Sequence, residues 1–232
     1  MGQKKLIRFE EIKTFPNVLI YPDSIVGKWS EHFGNTHPVT LELACGKGDY
    51  TLALAERFPE ENFIGVDIKG NRLWKGARTA LDKPLYNAAF LQARIDHLDE
   101  YFAFSEVKEI WITFPDPFLR ISKAKKRLTH ARFLHIYHRI LMPGGKIHLK
   151  TDSSELYHFT QEMIRENRCT LHKDIPDVYA QEAAPDILKE IKTFYEQRHL
   201  AEGRTIHYLQ FTLPDALPPL PIKEKQYEQI HS

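Results

Sequence analysis

Three short stretches carry side chains whose types and spacing could do chemistry. The first is Leu41-Glu42-Leu43-Ala44-Cys45-Gly46-Lys47-Gly48-Asp49, an apolar run that breaks into small residues. Ala44, Gly46 and Gly48 let a backbone come close to a ligand, and glycine takes positive φ without penalty. Asp67 follows about 20 residues on, where a carboxylate ending a second strand can bind ribose hydroxyls. The second stretch, Phe114-Pro115-Asp116-Pro117-Phe118, holds Asp116 between two prolines that fix its backbone. Residues 120–132, RISKAKKRLTHAR, come directly after and contain six Lys and Arg residues and no acid. The third stretch is Lys150-Thr151-Asp152, a further Thr/Asp pair at the end of an apolar run.

These residues need elements to position them. Apolar runs at 39–44, 62–67, 88–93, 107–114 and 146–150 read as strands. Between them, residues 49–58, 71–81, 95–102, 132–141 and 153–166 carry helical spacing, with Thr129 as the expected N-cap of the fourth. Strands alternating with helices imply βαβ units and a parallel sheet covered on both faces. Ligands of such sheets sit at the carboxyl ends of the strands, which is where all three stretches fall. Residues 169–173 and 205–213 read as two late strands suited to an antiparallel hairpin on the sheet edge, with a helix over 187–201 between them. Residues 24–33 suit a helix ahead of the first strand. One domain over 1–213 is expected, with an irregular segment at 1–22 and a loosely held, Pro-rich tail at 214–232.

Two cofactor classes share the glycine-turn geometry. A dinucleotide binder wants G-x-G-x-x-G around its pyrophosphate, but Thr51 stands where the third glycine belongs. Glu42, within the strand, would repel a pyrophosphate and suit a cation. S-adenosylmethionine carries a sulfonium and an ammonium and no phosphate, so the pattern favours it and disfavours a nicotinamide dehydrogenase.

The chain has 232 residues, with Lys+Arg 32, Asp+Glu 31 and a net charge of +1. Without the six cations of 120–132, the remainder is 26 basic against 31 acidic, net −5. The near-neutral total hides a cationic loop on an acidic body, and such a loop beside a candidate active-site turn fits phosphates. No apolar run reaches transmembrane length, and the first residues lack the apolar core of a signal peptide, so a cytoplasmic protein is expected. Cys45 and Cys169 show no metal or CxxC spacing. His135 and His138 could share a helix face but have no evident third ligand, and no metal is expected.

LELACGKGDY, GVDIKGNR, TFPDPF with the basic loop and its KKRL, HLKTD, and TFYE followed by EGRTIHYL occur in that order over roughly residues 39–211. The combination resembles the bacterial tRNA (guanine-N7-)-methyltransferases. The resemblance implies an α/β, Rossmann-like class I methyltransferase fold, with a seven-stranded, mostly parallel sheet whose last strand is antiparallel. It implies methyl transfer from S-adenosylmethionine to guanine N7 in the variable loop of tRNA. It puts Glu42, Ala44, Gly46, Gly48, Asp67 and Asp116 on the cofactor, with Asp116 also the catalytic residue. The contact after the third strand falls on Arg94, where the family often has an acid, or on Asp96. The tRNA side falls on Arg120, Asp152, Thr193, Phe194, Tyr195 and Glu196, and Lys123, Lys125, Lys126 and Arg127 would grip phosphates. Ala44 stands where relatives usually have Gly, Phe118 where Trp is common and Arg120 where Lys is common.

Two other readings compete. Amino-methyltransferases of nucleic acid or protein commonly carry a D/N-P-P-Y/F turn, and Asp116-Pro117-Phe118 lacks its second proline. A noncatalytic RNA-binding subunit would explain the basic loop but not Glu42, Asp67 and the glycine turn together. Monomer and homodimer both stay open.

Overall fold

The structure is a computed structural model that describes residues 2–220. Its eight strands form one sheet: β1 (Val18–Ile20), β2 (Val39–Leu43), β3 (Asn62–Asp67), β4 (Ala88–Gln92), β5 (Val107–Thr113), β6 (Leu141–Thr151), β7 (Thr170–Ile175) and β8 (His207–Thr212), in the order β1-β4-β3-β2-β5-β6-β8-β7. β2 pairs in parallel with β3 on one side and β5 on the other, so the winding reverses at β2. That reversal opens a crevice at its carboxyl end. β8 is antiparallel to both β6 and β7. The antiparallel last strand is as expected, and β7 and β8 form the expected antiparallel pair at the sheet edge, with β7 outermost.

Among the described residues eight α-helices flank the sheet: α1 (Gly2–Glu11), α2 (Trp29–Phe33), α3 (Asp49–Arg57), α4 (Gly70–Asp82), α5 (Ala131–Ile140), α6 (Ser154–Glu166), α7 (Asp186–Glu190) and α8 (Phe194–Ala201). Alternation along each strand divides the apolar side chains between two cores. Leu41, Leu43, Ile64, Val66, Ile110, Ile112, Ile147 and Leu149 pack on one face. Phe63, Phe90, Trp111 and Tyr208 pack on the other with Tyr50, Leu54 and Ala77. Glu42, Thr113 and Lys150 have the parity of this second face, which therefore carries the polar groups near the carboxyl ends.

Several expectations need correction. The sheet has eight strands rather than seven, and the segment expected to be irregular at 1–22 supplies, over its described residues 2–22, α1 and the short edge strand β1, which pairs in parallel with β4. Three apolar residues bracketed by prolines read as a loop, yet β4 offers them an open edge. The helix expected over 187–201 is two helices, broken at 191–193. The N-cap of α5 is His130, whose side chain accepts from the Arg132 amide. Thr129 instead hydrogen-bonds Thr160 at 2.8 Å. Residues 214–220 are docked rather than loose: Leu217 packs on the first core, and His135 and His138 meet the carbonyls of Pro218 and Asp215 at 3.0 and 2.9 Å. Residues 221–232 of the expected tail lie outside the described residues.

Candidate active site at the carboxyl ends of the strands

The turn after β2 is held by its own donors and acceptors. Cys45 N donates to Val66 O at 3.1 Å and Gly48 N to Cys45 O at 2.8 Å. Gly46 N donates to Asp67 Oδ2 at 3.0 Å. Thr51 N and Oγ1 both donate to Glu42 Oε2, at 2.8 and 2.6 Å, and Thr113 Oγ1 donates to Oε1 at 3.0 Å. The start of α3, normally available to an anion, is thus partly capped from within by a carboxylate. Positive φ at Ala44, Gly46 and Gly48 makes this wrapping possible. A Cβ on Gly48 would stand 2.5 Å from the Phe90 ring, whereas one on Gly46 would meet nothing within 4 Å.

Glu42 is buried, and among the described residues no cation forms an ion pair with it. Burial pushes its carboxyl up to about 7, against the pull of the hydrogen bonds from Thr51 and Thr113. Asp67, also buried, accepts a second amide, Lys69 N, at 2.8 Å.

The turn after β5 is strained at both ends. Phe114 and Phe118 have φ of +48° and +42°, a region that costs a bulky residue of order 1–3 kcal/mol and persists only where surroundings enforce it. The enforcers are Phe114 N, donating to Lys150 O at 2.8 Å, and Arg127, whose Nε and Nη2 donate to the carbonyls of Pro117 and Phe118 at 3.0 and 3.2 Å. Asp116 is exposed between them and, among the described residues, accepts only the Phe118 amide, at 3.1 Å.

The cationic run divides into two sets. Arg127 is buried and lies over the Phe159 ring, so it braces the turn and does not project toward solvent with the lysines. Arg132 lies near Asp96 and over Phe133. Arg120, Lys123, Lys125 and Lys126 are exposed on and beside a 3-10 turn over Ile121–Lys126, and among the described residues none has an acidic partner.

One cavity of about 790 Å³ joins these parts. Glu42, Ala44, Gly46, Asp67, Arg94, Asp96, Asp116, Lys126, Asp152, Thr193, Phe194 and Tyr195 all line it. Gly48, Arg120, Lys123, Lys125, Arg127 and Glu196 do not. Arg94 and Asp96 grip each other through two hydrogen bonds of 3.1 and 2.8 Å, and the guanidinium holds the Asp96 carboxyl below its usual range.

Glu196, expected on the tRNA side, is fully buried behind the wall. It pairs with Lys150 at 2.5 Å and accepts from the Tyr179 hydroxyl at 2.8 Å. Burial lowers the Lys150 ammonium to about 8, with Glu196 opposing it.

Sequence reasoning missed several wall residues. His199 and Arg204 both reach Asp152, at 3.3 and 2.8 Å. Asp49 accepts the Phe194 amide at 2.9 Å, and Lys47 lies 4.1 Å from the Phe194 ring centre. Lys47 and Asp49 sit inside the glycine turn and Arg204 inside EGRTIHYL, so the motifs marked their neighbourhoods. Nothing in the sequence marked His199.

With this geometry in view, similarity to known proteins becomes informative. The profile of a family described as "Putative methyltransferase" matches residues 36–209. The tRNA (guanine-N(7)-)-methyltransferase of Porphyromonas gingivalis is 45% identical over 213 residues, covering 87% of this chain and 86% of its own. The tRNA (guanine-N(7)-)-methyltransferase of Christiangramia forsetii is 43% identical, covering 92% of this chain and 100% of its own. Among solved structures, the 16S rRNA methyltransferase KamB superposes with a TM-score of 0.63 at 16% identity, over 82% of this chain and 95% of that one. That likeness bears on the fold alone.

Proposed function

Because the chain belongs to the tRNA (guanine-N(7)-)-methyltransferase family, we propose that it transfers a methyl group from S-adenosylmethionine to N7 of a guanine in the variable loop of tRNA. The carrying observation is that Glu42, buried and with no ion-pair partner among the described residues, shares a cavity with the exposed Lys126 of a cationic loop. The residues fit the cofactor's charge. Glu42 suits an ammonium or sulfonium, and a turn whose Cys45, Gly46, Gly48 and Thr51 amides are already engaged offers little to a pyrophosphate.

Glu42, Ala44, Gly46, Asp67, Asp116 and the Arg94–Asp96 pair would hold S-adenosylmethionine, with Gly48 shaping the turn. When bound, it supplies a methyl group on a positively charged sulfur, already activated toward nucleophiles. Guanine N7 has a free lone pair and no proton to lose, so the protein needs no general base at that atom. Its task is alignment. Asp116, on a braced turn, is placed to orient the base or to stabilise the positive charge that the guanine acquires. Phe118 offers a ring on which an exposed base can stack. Arg120, Lys123, Lys125 and Lys126 would neutralise phosphates, and Asp152, Thr193, Phe194 and Tyr195 would contact the nucleotide. Among the described residues no helix is long and apolar enough to cross a membrane. The reading places the enzyme in the cytoplasm with its tRNA.

The test is methylation of bulk tRNA lacking N7-methylguanosine, followed by nucleoside analysis. N7-methylguanosine is the expected product, and a methyl group on any other atom refutes the reading.

A further inference from the structure

Lys and Glu are among the residues least often buried, and a buried ion pair is weak evidence for stability because desolvation offsets the attraction. The Lys150–Glu196 pair, fully buried on both sides, therefore calls for another role. Lys150 ends the apolar part of β6, directly before Thr151 and Asp152. Its Nζ donates to Leu188 O at 2.5 Å, Ile191 O at 3.3 Å and the Tyr50 hydroxyl at 3.0 Å, besides meeting Glu196. The last carbonyls of a helix have no partner within it, and α7 is only five residues long. Lys150 thus supplies donors at the break where α7 stops and α8 begins. On the far side of that break, Thr193 caps α8 by accepting from Glu196 N at 3.0 Å. The half-exposed Phe194 and Tyr195 face the cavity. Tyr50 belongs to α3, so the same ammonium joins the helix that follows the glycine turn to the opposite wall.

We propose that Lys150 is a positioning residue: from β6 it pins residues 188–196, by their backbone and by Glu196, so that Thr193, Phe194 and Tyr195 stand at the cavity in the place the tRNA must meet. This rests on the methyltransferase reading above. It also accounts for Glu196, which acts through Lys150 and Tyr179 rather than by touching the nucleotide.

The test separates positioning from stability. Lys150→Met leaves Glu196 buried without its cation, so a large loss of Tm is expected. Lys150→Met/Glu196→Met removes both charges and should recover most of that loss. It restores no donor for the carbonyls of 188 and 191. The expected result is a double variant with recovered Tm, S-adenosylmethionine affinity within about twofold of wild type, and a tRNA KM raised about tenfold or more. Recovery of KM along with Tm would make the pair a stability element and overturn the proposal, as would a double variant that does not fold. Glu196→Gln, which keeps a hydrogen-bonding group for Lys150 and Tyr179, should raise KM less than the double variant does. An equal or larger rise would count against pinning. Wild-type enzyme run alongside guards the premise: if it makes no N7-methylguanosine, the functional reading fails, whereas normal wild-type activity with unchanged variant KM sinks this proposal alone.

Discussion

The two halves of the cavity use charge in opposite ways. In the cofactor half, Glu42 and Asp67 are 3% and 6% exposed, and each already accepts hydrogen bonds from the glycine turn, from Thr113 or from the start of α4. In the half proposed to meet tRNA, Asp116 and Lys126 line the wall and are exposed, with the exposed Arg120, Lys123 and Lys125 beside it. On the function proposed above, the first half is preorganised for a small cation, and the second offers exposed charges to a polyanion. Binding of the cofactor should therefore respond to pH and hardly to salt, and binding of tRNA should respond steeply to salt.

The largest effect is expected at Asp116. Among the described residues its side chain accepts one exposed hydrogen bond, so Asp116→Ala should cost about 1 kcal/mol of stability or less. Turnover should fall by about 10²–10³ if the carboxylate meets the reacting base. A thermal melt and steady-state kinetics on tRNA check the two numbers, and wild-type turnover would remove Asp116 from the mechanism. Next in size is the loop. Lys123→Ala/Lys125→Ala/Lys126→Ala should weaken tRNA binding by about 10–100-fold at low salt and flatten the log–log salt dependence by roughly 2–3. Arg127→Ala offers the contrast within the same run. It should lower Tm and loosen the turn while leaving the salt slope nearly unchanged. An Arg127 variant that flattens the slope as a lysine does would erase the division between bracing and binding charges.

In the half proposed to hold the cofactor, pH is the variable that tests Glu42. With Glu42 pushed up to about 7, the free protein carries it increasingly protonated below that pH. A cationic ligand pairs with the ionised form and so lowers its pKa in the complex. Protons are then released on binding below about pH 7, and affinity falls by up to tenfold per pH unit on the acid side. Above pH 7 affinity should be flat. The same shift means that ionising Glu42 costs the free protein stability as pH rises from its unfolded value through about 7. Titration calorimetry in buffers of different ionisation enthalpy reads the released proton. Affinity independent of pH between 5.5 and 8 would show that Glu42 does not meet the cation.

Legibility in the sequence follows the range of the interactions. The β2 turn, Asp67 and the Pro-flanked Asp116 are local constellations, in which residue type and short spacing dictate conformation, so the sequence revealed their place at the carboxyl ends of the strands. Strand alternation similarly exposed the parallel sheet. The Lys150–Glu196 pair was hidden because its members lie 46 residues apart and meet only after β6, β8 and α8 have packed. Within RISKAKKRLTHAR nothing local distinguishes the arginine that turns inward from the lysines that stay out. Arg127 is selected by Phe159, on α6, and by the carbonyls of a strained turn. α1 and β1 were missed for a related reason, since β1 has only three residues and acquires its identity from the free edge of β4.

The smallest effect concerns the glycine turn itself, where a departure from the family pattern meets a measurable strain. Ala44 has φ of +55°, and a non-glycine residue there costs roughly 1–2 kcal/mol. Glycine relieves that cost but adds about 0.5–1 kcal/mol of unfolded-state entropy, and it gives up a partly buried methyl group that packs on the first core. The terms leave a gain of a few tenths to about 1 kcal/mol, so Ala44→Gly should raise Tm by about 1–3 °C. Gly48→Ala should move the other way and further, because its Cβ would meet the Phe90 ring at 2.5 Å while keeping φ at +69°. The pair of melts separates two meanings of a small residue in this turn. At 44 only the backbone angle favours glycine, whereas at 48 the angle and the space both require it. A fall in Tm for Ala44→Gly would mean that the methyl group's packing outweighs the strain it imposes.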